Sequence, residues 1–218
     1  LLLSAQLLEE LGNPSLAIET YDAVPRSHPA FVSAELGRAQ AMYGVGKAEM
    51  SIEVLEQIAE SFPDVRSVNE TLGNLLRQEG NFSLAVRSYD TAIAMIDQLK
   101  PWHWYIYYAR GIAHDRLGAW ELGMRDFDQA LVLSPNQFQI LNYVGYSLVE
   151  RGEMLEEALS MIQRAVAVQP TAGYIIDSLG WVQYRLGYYQ DAVVQLERAV
   201  ELMTTDPVVN DHLGDVYW

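Results

Sequence analysis

The chain has 218 residues, half of them hydrophobic, and its 29 Asp and Glu against 14 Lys and Arg leave a net charge of −15. That balance repels phosphate backbones and anionic lipid, so nucleic acid is not an expected partner. No apolar run approaches the roughly 18 residues of a membrane span, and the absence of cysteine removes disulfides, thiolate metal sites and cysteine nucleophiles. The first residues, Leu1, Leu2 and Leu3, carry no initiator Met, basic region or cleavage site, which reads as an internal stretch of a longer chain.

A period organises the chain. Small residues recur at Ala5, Ala39, Gly73, Gly111, Gly145, Gly180 and Gly214, in steps of 34, 34, 38, 34, 35 and 34. Taken in order, the units run at about 1–31, 32–65, 66–103, 104–137, 138–172, 173–206 and a partial 207–218. The first carries Gly12, Ala17, Tyr21 and Val24 and closes on Pro29; the second carries Gly46, Ser51, Leu55 and Ile58 and closes on Pro63. The third has Gly80, Ala85, Tyr89 and Ala92, then four extra residues near Asp97–His103. An aromatic stretch, Pro101–Tyr108, spans the junction to the fourth, in which Tyr107 reads as packing and Trp102 and Trp104 either as a cover over the widened gap, the favoured reading, or as a projecting anchor for a partner; Gly118, Gly123, Phe127, Ala130 and Pro135 follow. The fifth has Gly152, one extra residue near Met154–Leu155, then Ala158, Ile162, Ala165 and Pro170; the sixth has Gly187, Ala192, Leu196 and Ala199. The seventh stops at Trp218, two-thirds along a first helix, so the array is expected to continue, and its bare end could stack head-to-tail on another copy.

Each unit reads as helix, glycine turn, helix, turn. The glycine supplies a left-handed C-terminal cap, the small residues let two helices approach, and the large apolar residue fills the space beside them. One pair cannot bury both of its apolar faces, so neighbours must stack.

This order of small, Gly, Ala, aromatic, Ala and Pro resembles the tetratricopeptide repeat family along nearly the whole chain; Tyr174–Leu202 matches best, and Val24 and Ile58 stand where the family prefers Ala. The resemblance implies an all-α, right-handed superhelical solenoid of antiparallel helix pairs, six units and a partial seventh in a single array. It also implies that the first helix of each pair lines a concave face. Carried over position by position, that puts Tyr43, Asn74, Arg77, Tyr105, Tyr108, Asp115, Arg116, Asn142, Tyr146, Tyr174, Asp177, Trp181, Tyr184 and Arg185 in a partner-binding groove, with Glu70, Asp211 and Asp215 beside them. Such rings suit a peptide or protein partner, and the acidic charge favours a neutral to basic one; single tyrosines could equally pack between neighbouring helices. The family's carboxylate clamp is absent, because Glu70 precedes Asn74 and Tyr146 follows Asn142.

No catalytic set emerges. His28, His103, His114 and His212 lack metal-site spacing, and His114 falls at a core position. Asp126 and Asp128 flank Phe127 and read as a solvated helix face, and the glycines belong to turns, so no enzyme, metal or cofactor is expected.

The last three units, "LNYVGYSLVERGEMLEEALSMIQRAV", "YIIDSLGWVQYRLGYYQDAV" and "DPVVNDHLGDVYW", are similar to long repeat proteins of Gram-negative bacteria. Many of those are lipoproteins exposed to the periplasm, and some act as adaptors of a carboxyl-terminal processing protease. The resemblance implies a bacterial adaptor, periplasmic or anchored at the outer membrane, with the cytoplasm left open. The alternatives are the recognition arm of a larger enzyme, such as a glycosyltransferase, and a self-associating assembly factor.

Overall fold

A computed structural model describes all 218 residues. It holds thirteen α-helices and no strand: α1 (Leu2–Glu10), α2 (Pro14–Asp22), α3 (Phe31–Gly44), α4 (Ala48–Ser61), α5 (Arg66–Gln78), α6 (Phe82–Ala94), α7 (Trp104–Arg116), α8 (Trp120–Leu133), α9 (Phe138–Arg151), α10 (Leu155–Val168), α11 (Gly173–Arg185), α12 (Tyr189–Leu202) and α13 (Pro207–Tyr217). The chain divides into two compact units, Leu1–Asp126 and Phe127–Trp218.

The turns show why the helices stop where they do. Gly80, at φ +76°, ends α5 in a left-handed conformation, and the chain then folds back so that Gly80 N–H reaches the Arg77 carbonyl at 3.2 Å and Asn81 N–H the Leu76 carbonyl at 2.8 Å. These two bonds satisfy carbonyls that the helix end would otherwise leave bare. The same cap recurs at Gly12, Gly46, Gly118, Gly152 and Gly187, all at φ between +69° and +84°. The extra residue of the fifth repeat is absorbed just after Gly152, where Met154 takes φ +46° and starts α10 from a second left-handed position.

In the first unit each helix packs on its chain neighbours, and α1, α3, α5 and α7 also touch in sequence. A core of Leu55, Leu72, Leu75, Leu76, Tyr89 and Ile106 fills its later part, and Ala5, Ala17, Tyr21, Val24 and Ala34 its earlier part. The close approach is sterically required: a Cβ on Gly73 would lie 2.7 Å from the Tyr89 ring. Buried Ser51 is accommodated on α4 because its hydroxyl donates to the Ala39 carbonyl at 2.6 Å.

The second unit repeats the scheme, with α9, α11 and α13 in mutual sequence and α10 and α12 packed beside them. Here Gly145 faces Ile162 and Gly180 faces Leu196, where a Cβ would come to 2.6 and 2.5 Å. Ile176, Ala199 and Val209 join α11, α12 and α13. Arg164 reaches across a turn to the Pro135 carbonyl at 2.6 Å, and Arg198 repeats that bond to Pro170.

Two side-chain expectations need correction. Asp126 is not on a solvated face: it is only 5% exposed, because the Arg110 guanidinium grips it with Nε to Oδ2 at 2.9 Å and Nη2 to Oδ1 at 2.6 Å. Trp102 does not cover the widened gap and is 61% exposed; His103 is buried instead. The four extra residues form a loop ending in a 3-10 turn, Pro101–His103, in which His103 Nδ1 accepts from Lys100 N–H at 3.1 Å. A histidine can close that turn through a ring nitrogen, which an indole cannot do. His114 is half-buried, with Nε2 3.9 Å from Asp126.

Candidate functional site

In the first unit most candidate groove residues already bond within the chain. Tyr43 donates to Glu79 at 2.8 Å, and Tyr105 donates to Glu70, which Arg66 also holds at 2.8 Å. Asn74 accepts from the Tyr89 hydroxyl at 2.8 Å, while Arg77 Nε approaches that hydroxyl at 3.4 Å. The Tyr108 ring lies 5.9 Å from Trp104, half-buried Asp115 closes α7, and exposed Arg116 stands 5.4 Å over Phe82. Burial and the Glu70 carboxylate push the Tyr105 phenol up, and the bond to Glu79 does the same for Tyr43. These hydroxyls therefore remain donors across the physiological range.

The second unit gathers its candidates around α11. Trp181 stacks on His212 of α13 at 4.1 Å and 11° between planes, and on Tyr184 at 5.2 Å and 26°. Tyr146 of α9 approaches His212 at 6.5 Å, and burial raises its phenol pKa, helped by Glu150 and Asp177. Arg185 stands 6.0 Å over the Trp181 ring. Tyr174 is 46% exposed. Asn142 Oδ1 is buried without a hydrogen-bond partner, as is Gln183 Oε1. Such amide oxygens are strong acceptors in want of a donor.

One candidate behaves differently from its neighbours. Asp177 is 5% exposed and faces His212 Nδ1 through both oxygens, at 3.0 and 3.1 Å. It orients the imidazole that stacks on Trp181 and offers little of its own surface. Sequence reasoning assigned no groove role to His212, Glu150 or Tyr189, although Glu150 accepts from Trp181 Nε1 at 2.9 Å and Tyr189 lies 5.7 Å from Tyr184. The period held the missing signal: Asp177 and His212 are 35 residues apart and Glu150 and Trp181 are 31, so side chains about one repeat apart meet on adjacent first helices. No cluster of three or more His, Asp or Glu is placed to hold a metal ion, and no helix is long and apolar enough to cross a membrane.

Stacked helix pairs, left-handed glycine caps and ring-bearing first helices define a helical-repeat interaction scaffold. A profile of the tetratricopeptide repeat matches residues 70–138. A TPR repeat-containing protein of Pseudomonas aeruginosa is 26% identical over 217 residues, covering 96% of this chain and 35% of the relative. Tetratricopeptide repeat protein 21B of Homo sapiens is 23% identical over 205 residues, covering 90% of this chain and 15% of its own length. The chain thus spans about a third or less of either relative. Among solved structures, PilW, a type IV pilus biogenesis factor, superposes with a TM-score of 0.84 at 17% identity, covering 97% of this chain and 96% of its own. YrrB, a TPR protein with an unusual peptide-binding site, gives 0.62 at 17% identity, covering 91% and 96%.

Proposed function

We propose that the chain is a non-enzymatic adaptor segment that holds a peptide or protein partner of neutral to basic character against the first helices of its repeats. The observation that carries this is the set Tyr146, Trp181, Tyr184 and Arg185 in the second unit, held by ring contacts along α9, α11 and α13. Rigid aromatic rings that retain a polar edge suit a peptide and its anchors. The rings stand among twelve carboxylates and four arginines in Phe127–Trp218, a net of −8 that disfavours an acidic ligand.

Within that reading, the partner is a carboxyl-terminal processing protease on the periplasmic side of a Gram-negative envelope. The resemblance of the last three repeats to envelope repeat lipoproteins supports this choice. Co-purification of the full-length protein from its native cells tests it, beside a variant carrying Tyr146→Ala, Trp181→Ala and Tyr184→Ala. The wild type is expected to recover the protease and the variant to lose it with helix content unchanged. Recovery of the protease by both would remove the ring set as the contact, and its absence from both would remove the protease.

A further inference from the structure

The four residues inserted before α7 place a histidine between two donors. His103 is 3% exposed and ends the 3-10 turn Pro101–His103. Its Nδ1 accepts from the Lys100 backbone N–H at 3.1 Å, and its Nε2 lies 3.1 Å from Arg66 Nη1 of α5. A peptide N–H and a guanidinium can only donate, and a neutral imidazole has one lone pair to offer them. An imidazolium has none. The buried ring therefore keeps the turn closed only while it is uncharged.

The charges around the ring act in the same direction. Those that face it are Arg66 and Glu70 from α5 and Lys100 from its own loop. Glu70 is the one group that favours a proton on the ring, and it is already held by Arg66 at 2.8 Å and by the Tyr105 hydroxyl of α7. The Tyr105 phenol is pushed up and stays neutral, so it brings no compensating charge. Burial first, and then Arg66, hold the His103 pKa below its ordinary 6.5.

The turn leads directly into the candidate groove. His103 is the N-terminal cap residue of α7, whose first residues are Trp104 and Tyr105. Its contact Arg66 also holds Glu70, the carboxylate to which Tyr105 donates. Opening of the turn thus acts on the helix start that presents Tyr105.

We propose that His103 is an acid-released latch: its neutral ring locks residues 97–103 and the start of α7 against α5, and its protonation frees them. The closed turn resists the proton, so the opened turn takes it first. The latch is fully closed above the ordinary histidine pKa, and the opened form gains as pH falls through 6.5. One proton allows a gain of at most about tenfold between pH 7.5 and 5.5. The consequence for a partner rests on the scaffold reading above, but the latch does not, so its test and the co-purification can fail separately.

The test is backbone amide hydrogen exchange of the whole chain by NMR, expressed as protection factors so that the intrinsic pH dependence of exchange is removed. From pH 7.5 to 5.5 the Lys100 and His103 amides are expected to lose at least threefold in protection, while Leu75 and Leu76 in the core of α5 keep theirs. In His103→Gln the side-chain oxygen can still accept from Lys100 but takes no proton, and protection should stay level. Level protection in the wild type, an equal loss in the variant, or a loss shared by Leu75 and Leu76 overturns the latch. The ring carbon resonances of the wild type give a second reading that needs no variant. His103 should titrate below 6.5, and a midpoint at or above 6.5 overturns the latch as well.

Discussion

Arg110 serves two carboxylates at once. Its Nη1 meets Asp90 of α6 at 2.6 Å, and its Nε and Nη2 meet Asp126 of α8. Arg38 also serves two carboxylates two repeats earlier, bridging Asp22 of α2 at 2.9 Å and Glu35 of its own helix at 2.6 Å. Both arginines stand immediately before the small residue of their repeat, Ala39 or Gly111. Asp126 is the buried partner, so Asp126→Asn should cost about 2 kcal/mol; removing one member of a fully buried pair costs about 3–5 kcal/mol, but Arg110 retains Asp90. Replacing the pair with apolar side chains, Arg110→Met with Asp126→Leu, should cost less than the single change, because no charge is then stranded. Urea midpoints for the three proteins check this, and a double variant weaker than the single one would refute it. Helical periodicity shows which face a residue occupies but not what the neighbouring helix presents there, so Asp126 and Asp128 looked alike in the sequence. Only the placement of Arg110, 16 residues earlier and on another helix, separates them.

At the scale of the element, the six glycine caps were legible because their requirement is local. A left-handed residue costs about 1–2 kcal/mol for any side chain with a Cβ and little for glycine, so the backbone need is written in the residue type. The pairing of small with large residues was legible for a related reason: Gly73, Gly145 and Gly180 lie where a Cβ would strike Tyr89, Ile162 and Leu196. The inserted residue at Met154 was legible as a length, but not as a second left-handed position, because methionine gives no sign of it. That difference is testable. Gly80→Ala has open space around the new Cβ and φ +76°, so it should cost about 1–2 kcal/mol through the backbone alone. Met154→Gly removes the same strain from a side chain that is 61% exposed, and the gain is partly offset by about 0.5–1 kcal/mol of added chain freedom. The urea midpoint should thus fall for the first variant and rise slightly for the second. A fall for both would mean that the Met154 side chain contributes more by packing than its backbone loses. The polar partners of the candidate rings were the illegible part, since Tyr43 with Glu79 or Tyr105 with Glu70 requires knowing which side chains one repeat apart face each other.

Charge acts on the whole molecule. Leu1–Asp126 carries 17 acidic and 10 basic residues, a net of −7, and Phe127–Trp218 carries the remaining −8. Self-repulsion of that size opposes folding and weakens as salt screens it: the screening length falls from about 30 Å at 0.01 M to about 3 Å at 1 M. Buried pairs such as Arg110 with Asp126 are screened far less. Raising NaCl from 10 to 500 mM should therefore raise Tm by about 2–4 °C, the shift expected of roughly 1 kcal/mol in a protein of this size. A fall in Tm would show that exposed ion pairs outweigh the net charge. The same salt should weaken the capture of a basic partner, because the attraction between the acidic surface and a cationic ligand is screened as well. Stability and affinity should thus respond to salt with opposite signs. If affinity also rose with salt, the partner would be held by apolar contact with the rings alone, and the carboxylates of the second unit would have no part in choosing it.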